Sequence, residues 1–219
     1  MQTVPSSLVH TIAPHNGAAE IPLTAMILLH GSGATEEDLL GLVPYFPSQF
    51  LVIAARAPFP FSYGGATWYD VLSSGTPHPD QFDESCERLV QFVHDAKKHY
   101  PIDPQRLFFL GFSMGTVMSY AFALTHPEEV SGVVAHSGYV PEDTSLVFAW
   151  EKLKGKGFFV AHGTQDPVIG VQFAQRAKEL LEKTEAEVTY REYPIPHSMS
   201  DESIGEFSAW LGQRMQGGA

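Results

Sequence analysis

Cysteine is almost missing from this sequence, with Cys86 the only one in 219 residues. A single thiol cannot build an internal disulfide framework. It falls at helical spacing with Phe82, Leu89, Val90 and Val93, which predicts a buried structural thiol. Basic residues are scarce as well. The 13 Lys and Arg face 25 Asp and Glu, for a formal net charge of −12. The longest basic cluster is Lys97-Lys98, so the composition argues against nucleic acid and anionic membranes as partners. No apolar run approaches the roughly 18 residues of a membrane span, which argues against integral membrane association. Residues 1–7 lack the basic and apolar regions of a secretory signal. A cytoplasmic location is expected. The histidines show no H-E-x-x-H or comparable ligand spacing, and a glycine-rich nucleotide motif fails at Glu36, so neither a metal nor a cofactor is expected.

What the sequence does contain is the material of one globular core. Hydrophobic residues make up 44% and charged residues 17%, and no repeat, linker or composition break divides residues 1–219. Apolar runs of strand length occur at residues 24–29, 50–54, 106–110, 130–136 and 157–161, with an alternating strand at 187–193 and an edge strand at 8–13. A loop rich in Pro, Asn and Gly follows the edge strand. Helices are expected from Thr35 as N-cap through Phe46, over 80–99, from Thr116 to Leu124, and over 141–153, 170–183 and 201–214. In the 170–183 helix, Phe173, Ala174, Ala177, Leu180 and Leu181 should face inward. Residues 56–79 are irregular, rich in Pro, Gly and aromatics, and read as a packed loop shaping a pocket. Strands alternating with helices predict an α/β fold, a mostly parallel central sheet with helices on both faces.

The chemistry centres on Gly111-Phe112-Ser113-Met114-Gly115, which lies between an expected strand and an expected helix. A G-x-S-x-G in that setting describes a nucleophile elbow, a turn too tight for side chains on either flank of the serine. A serine hydroxyl is a poor nucleophile near neutral pH. It needs a base, and a carboxylate to orient that base. In the chain order serine, acid, histidine, His197 is the one histidine after Asp166, in the turn after the last strand. Asp143 and Asp166 are the two aspartates between Ser113 and His197. Asp166 is preferred because it directly follows a strand and precedes Pro167, whereas Asp143 sits at a helix start. His30 and His162 end strands and read as loop buttresses. His10, His15, His78, His94, His99 and His126 lie in segments of solvent-facing composition. The oxyanion hole should combine the N–H of Met114 with one from Ser32, whose flanking Gly31 and Gly33 let the peptide approach a substrate.

Taken together, Leu29-His30-Gly31-Ser32-Gly33, Thr67-Trp68-Tyr69-Asp70, Gly111–Gly115, His162-Gly163-Thr164-Gln165-Asp166-Pro167-Val168 and His197-Ser198 resemble the phospholipase/carboxylesterase family of α/β-hydrolases. That family includes acyl-protein thioesterases and small bacterial carboxylesterases. The resemblance runs over nearly the whole chain. It implies an α/β-hydrolase fold without a large cap domain, a Ser113–Asp166–His197 triad, and Ser32 with Met114 as the oxyanion hole. It also implies substrate contacts near Trp68 and Val168, to which Gly33 and Phe61 are added as candidates. Two positions depart from the family's usual pattern. Met114 stands where acyl-protein thioesterases usually carry Gln, and Pro196 precedes the histidine in place of Gly.

The expected activity is hydrolysis of a small carboxylic ester through an acyl-enzyme on Ser113, by a monomer or homodimer. A thioester or lysophospholipid substrate is the alternative within the same chemistry, and perhydrolysis a remoter one. A non-catalytic ligand receptor on the same fold is the alternative from another class.

Overall fold

The computed structural model describes residues 3–14, 21–72 and 76–216. His15 and most of the Pro-, Asn- and Gly-rich loop lie outside them. Seven strands form one sheet: β1 (His10–Ile12), β2 (Leu23–Leu29), β3 (Phe50–Ala55), β6 (Ile102–Phe112), β7 (Gly132–His136), β8 (Gly157–Gly163) and β9 (Glu187–Tyr193). Their order is β1-β3-β2-β6-β7-β8-β9, with β1 antiparallel to β3 and every other pairing parallel. A hairpin of β4 (Phe59–Pro60) and β5 (Ala66–Thr67) stands apart. The helices are α1 (Pro79–His99), α2 (Met114–Thr125), α3 (Gln172–Leu181) and α4 (Asp201–Gln216). No described helix is long and apolar enough to cross a membrane.

Strand periodicity divides the core between two faces. Ala25, Ile27 and Leu29 of β2 pack with Phe82 and Leu89 of α1, Val117 of α2 and Ala177 of α3. Met26 and Leu28 point to the other face, with Leu42 and with Phe207, Trp210 and Leu211 of α4. Both faces are covered, which is why the central strands read as unbroken apolar runs. Helix α2 lies against β6 and β7, and nearly every residue in it is buried. A stripe of polar residues would have no solvent to face there.

Four expectations are corrected. The segment after Thr35 is no α-helix but a chain of turns leading into a 3-10 helix, Leu40–Tyr45. Pro44 removes a backbone donor there. Thr35 forms a side-chain turn by accepting from the Glu37 N–H at 3.3 Å, and Glu36 is buried, gripped by the Arg56 guanidinium. Residues 141–153 hold only a 3-10 turn, Trp150–Lys152. Thr144 Oγ1 donates to the Pro141 carbonyl, Ser145 Oγ to Asp83, and the Ala149 N–H to Leu124, so the bonds a helix would use go elsewhere. Phe173 is 46% exposed and packs on Tyr139 rather than in the core. His10 is buried, with Nε2 2.6 Å from the Tyr100 hydroxyl, and not solvent-facing.

Candidate active site

The register of the sheet decides what meets at its carboxyl edge. Leu29 is level with Gly111, Phe112 with His136, His136 with Ala161, and Gly163 with Tyr193. The segments that follow these strand ends carry Ser32, Ser113, Ser137, Asp166 and His197. Residues far apart in sequence are therefore collected along one edge, where open α/β sheets place their sites.

Ser113 joins β6 to α2 at φ 56° and ψ −120°, a left-handed conformation for a residue with a side chain. The turn survives because its flanks are bare. A Cβ at Gly111 would lie 2.4 Å from the Gly115 backbone, and one at Gly115 only 1.9 Å from the Leu29 carbonyl oxygen. The Ser113 N–H donates to the His136 carbonyl at 3.1 Å, and the Thr116 hydroxyl lies 2.7 Å from the carbonyls of Gly111 and His136. The serine is 8% exposed, and its hydroxyl makes no hydrogen bond among the described residues.

Asp166 is fully engaged. Its Oδ1 accepts from the Val168 and Ile169 N–H groups at 2.8 and 2.9 Å, and its Oδ2 lies 2.6 Å from His197 Nδ1. Burial pushes the carboxyl up, but the His197 hydrogen bond and the two backbone donors outweigh it and hold the group below the usual carboxylate range. An ionised Asp166 fixes the proton on His197 Nδ1 and leaves Nε2 as an acceptor. The two loops are clamped together. A Cβ at Gly163 would lie 2.2 Å from the Ile195 carbonyl oxygen, and Thr164 and Gln165 donate to Tyr193 and Ile195. The His197 ring packs on Phe112, beside Ser113 in the chain, with centroids 4.9 Å apart. Asp143, the other aspartate considered, is exposed and borders a cavity with Pro77 and Asp83.

The loop after β2 sits against the elbow. A Cβ at Gly31 would lie 3.3 Å from Ser113 Cβ. His30 is a buttress as expected. Its Nε2 accepts the Ala57 N–H at 3.0 Å, so Nδ1 carries the proton, 2.6 Å from the Gly31 carbonyl. Trp68 is fully buried and donates from Nε1 to the His30 carbonyl at 2.9 Å. It supports this loop from beneath and offers no exposed surface. Met114 N–H stands in the first turn of α2, where a helix leaves its donors free, and neither it nor the Ser32 N–H is spent on another described backbone group. Gly33 meets Phe61, whose ring would lie 3.2 Å from a Cβ there, and Val168 is 67% exposed at the rim. The Tyr139 and Phe173 rings pack on each other with centroids 5.7 Å apart, and Thr67 Oγ1 lies 3.4 Å from Met114 Sδ.

Sequence reasoning passed over His136. It is buried at the end of β7, with Nδ1 2.9 Å from Ser137 Oγ and Nε2 3.2 Å from Ser203 Oγ, and its ring is stacked with Tyr193. Burial lowers its pKa to about 3. The signal was available, because His136 ends an apolar run just as His30 and His162 do. His162 itself lies beneath the Asp166 loop. Its Nε2 is 2.7 Å from the Ile169 carbonyl and 3.4 Å from Asp166 Oδ2, and burial lowers its pKa.

This geometry can be set beside known proteins. The sequence signature of the Phospholipase/Carboxylesterase family matches residues 17–213. The chain belongs to this family. Among its relatives, the acyl-protein thioesterase 1 of Candida albicans is 28% identical over 215 residues, covering 88% of this chain and 92% of that one. A probable SOBER1-like carboxylesterase of Arabidopsis thaliana is 26% identical over 208 residues, covering 88% and 79%. The crystal structure of the Bacillus cereus carboxylesterase superposes with a TM-score of 0.84 at 24% identity, covering 94% of each chain. The fold is that of the α/β-hydrolases, with no large cap over the carboxyl edge of the sheet among the described residues.

Proposed function

We propose that this family member is a serine carboxylesterase working through an acyl-enzyme on Ser113. The observation that carries the reading is the 2.6 Å contact of Asp166 with His197, beside a serine held at positive φ on a strand-to-helix turn. In this reading His197 Nε2 takes the Ser113 proton as Oγ attacks the ester carbonyl. The negative charge that develops on the carbonyl oxygen is met by the N–H groups of Met114 and Ser32, each such donor being worth roughly 3 kcal/mol. His197 then returns the proton to the departing alcohol, and water releases the acyl group by the same steps in reverse. Asp166 balances the imidazolium without taking its proton.

The half-buried Phe61 and the exposed Val168 favour an apolar acyl group at the rim. A thioester leaving group is the second reading, favoured by the relative named acyl-protein thioesterase 1. A cytoplasmic location agrees with the lone thiol. The test is turnover of p-nitrophenyl esters from C2 to C16 beside the matching acyl-CoA thioesters, with Ser113→Ala as control. Ester turnover that survives in Ser113→Ala removes the proposal. Faster cleavage of the thioesters makes the second reading the primary one.

A further inference from the structure

A cavity of about 770 Å³ opens at the far end of the sheet, away from Ser113. Its lining comes from the starts of β6 and β9, the segments leading into β7 and β8, and the last turn of α4. These pieces are tied together, since the Gly157 N–H donates to the Ser131 carbonyl and the Glu187 N–H to that of Lys156.

The charge there is opposite to that of the protein. Of the 13 Lys and Arg that the chain spends against 25 acids, Arg106, Lys154, Lys156 and Arg214 line this one cavity, with Glu187 as the only acid among the lining residues. Two of the cations are already matched. Arg214 donates to Glu187 at 2.7 Å and lies over the Trp210 ring, and Lys154 is 3.9 Å from Glu185. The other two have no carboxylate within 4 Å among the described residues: half-buried Arg106 lies 3.7 Å from the Met215 sulfur, and half-buried Lys156 pairs with no described acid. Cations withdrawn from water without a counter-charge are costly, and an anion seated between them would offset that cost. Burial, the largest influence, lowers the Lys156 pKa, Glu128 at longer range opposes it, and Lys97 adds a smaller lowering.

We propose that this cavity binds a small phosphate-bearing molecule, held by Arg106 and Lys156. A guanidinium fork and an ammonium suit an oxyanion with several acceptor oxygens. The cavity is larger than a bare phosphate needs, and its volume falls in the range of small-molecule sites. Phe108, Val188 and Trp210 supply apolar surface for an organic group. The inference stands apart from the esterase reading, because no lining residue belongs to the candidate active site.

The test is calorimetric titration of the full chain at fixed ionic strength with phenyl phosphate, inorganic phosphate and phenol, for the wild type, Arg106→Gln, Lys156→Gln and the distant Lys98→Gln. Saturable phenyl phosphate binding is expected, tighter than that of inorganic phosphate, with none for phenol. Each cavity variant should weaken it at least about tenfold, and Lys98→Gln should leave it unchanged. Unfolding midpoints and p-nitrophenyl ester turnover like those of the wild type certify that the variants are folded. No saturable binding of either phosphate compound to the wild type overturns the proposal, and so does wild-type affinity in the two cavity variants.

Discussion

Lowering the pH should destabilise this protein through its buried histidines, with His136 the most strongly shifted. His136 is fully buried between Ser137 and Ser203. Burial lowers its pKa from 6.5 to about 3, helped by its neighbours His162 and His197 and opposed by Asp166. Between those two values the unfolded chain binds a proton that the folded chain refuses. Stability therefore falls as pH drops below about 6.5 and levels off only near the folded value. From pH 7 to pH 5 the linkage for one such group comes to about 2 kcal/mol, a sizeable share of the stability of a typical domain. The measurement is urea unfolding at pH 7 and pH 5, at equal ionic strength, for the wild type and His136→Asn. The variant starts lower at pH 7, having lost the histidine's packing, but its drop on acidification should be smaller by about 2 kcal/mol. His30 and His162, also lowered by burial, add losses of the same sign that are common to both proteins and cancel. Equal drops within about 0.5 kcal/mol, the usual scatter of such comparisons, would refute the assignment of acid sensitivity to His136.

Four further outcomes are expected. Asp166→Asn should keep the fold but lower kcat by on the order of 10⁴, because an amide favours the wrong His197 tautomer; near-wild-type turnover would sink the acid assignment. Gly115→Ala places a Cβ 1.9 Å from the Leu29 carbonyl oxygen, so urea unfolding should show a loss of about 3 kcal/mol or no folded protein at all. Trp68→Phe leaves the His30 carbonyl without its donor and should cost about 1–3 kcal/mol by the same measurement. Cys86, expected to be buried, is half-buried, and its thiol is pushed up to about 12 by desolvation, a thiolate fraction on the order of 10⁻⁴ at pH 8; labelling by Ellman's reagent should be slow in buffer and fast in urea, and rapid native labelling would contradict the raised pKa.

The sheet was legible where tertiary structure agrees with local pattern. Strands β2, β3 and β7 are buried along their whole length because both of their faces are covered, so a run of mostly aliphatic residues was sufficient to read them. The candidate site was legible because chain order leaves one histidine after Asp166 and because Gly111 and Gly115 mark the elbow. What escaped is what depends on long-range partners. Thr35 to Phe46 has helical periodicity, yet the pairing of Glu36 with Arg56 draws that turn inward and Pro44 cuts the ladder short. His10 looked exposed because nothing nearby in sequence announces Tyr100, ninety positions on. Trp68 looked like a ligand contact, and only the fold reveals that its indole hydrogen goes to the His30 carbonyl.

The position of β9 carries a consequence for how such a catalyst wears out. It is the last strand of the sheet, paired on one side only, with its outer residues half-buried or exposed. His197 hangs from its end. The clamp that holds it is short, made of Gly163 against Ile195, the bonds from Thr164 and Gln165, and Ser200 capping α4 through the Ser203 N–H at 3.1 Å. Fraying of this margin would part His197 from Asp166 while β2, β6 and β7 stayed paired in the interior. The expected signature is a loss of turnover on warming that precedes global unfolding and is recovered on cooling.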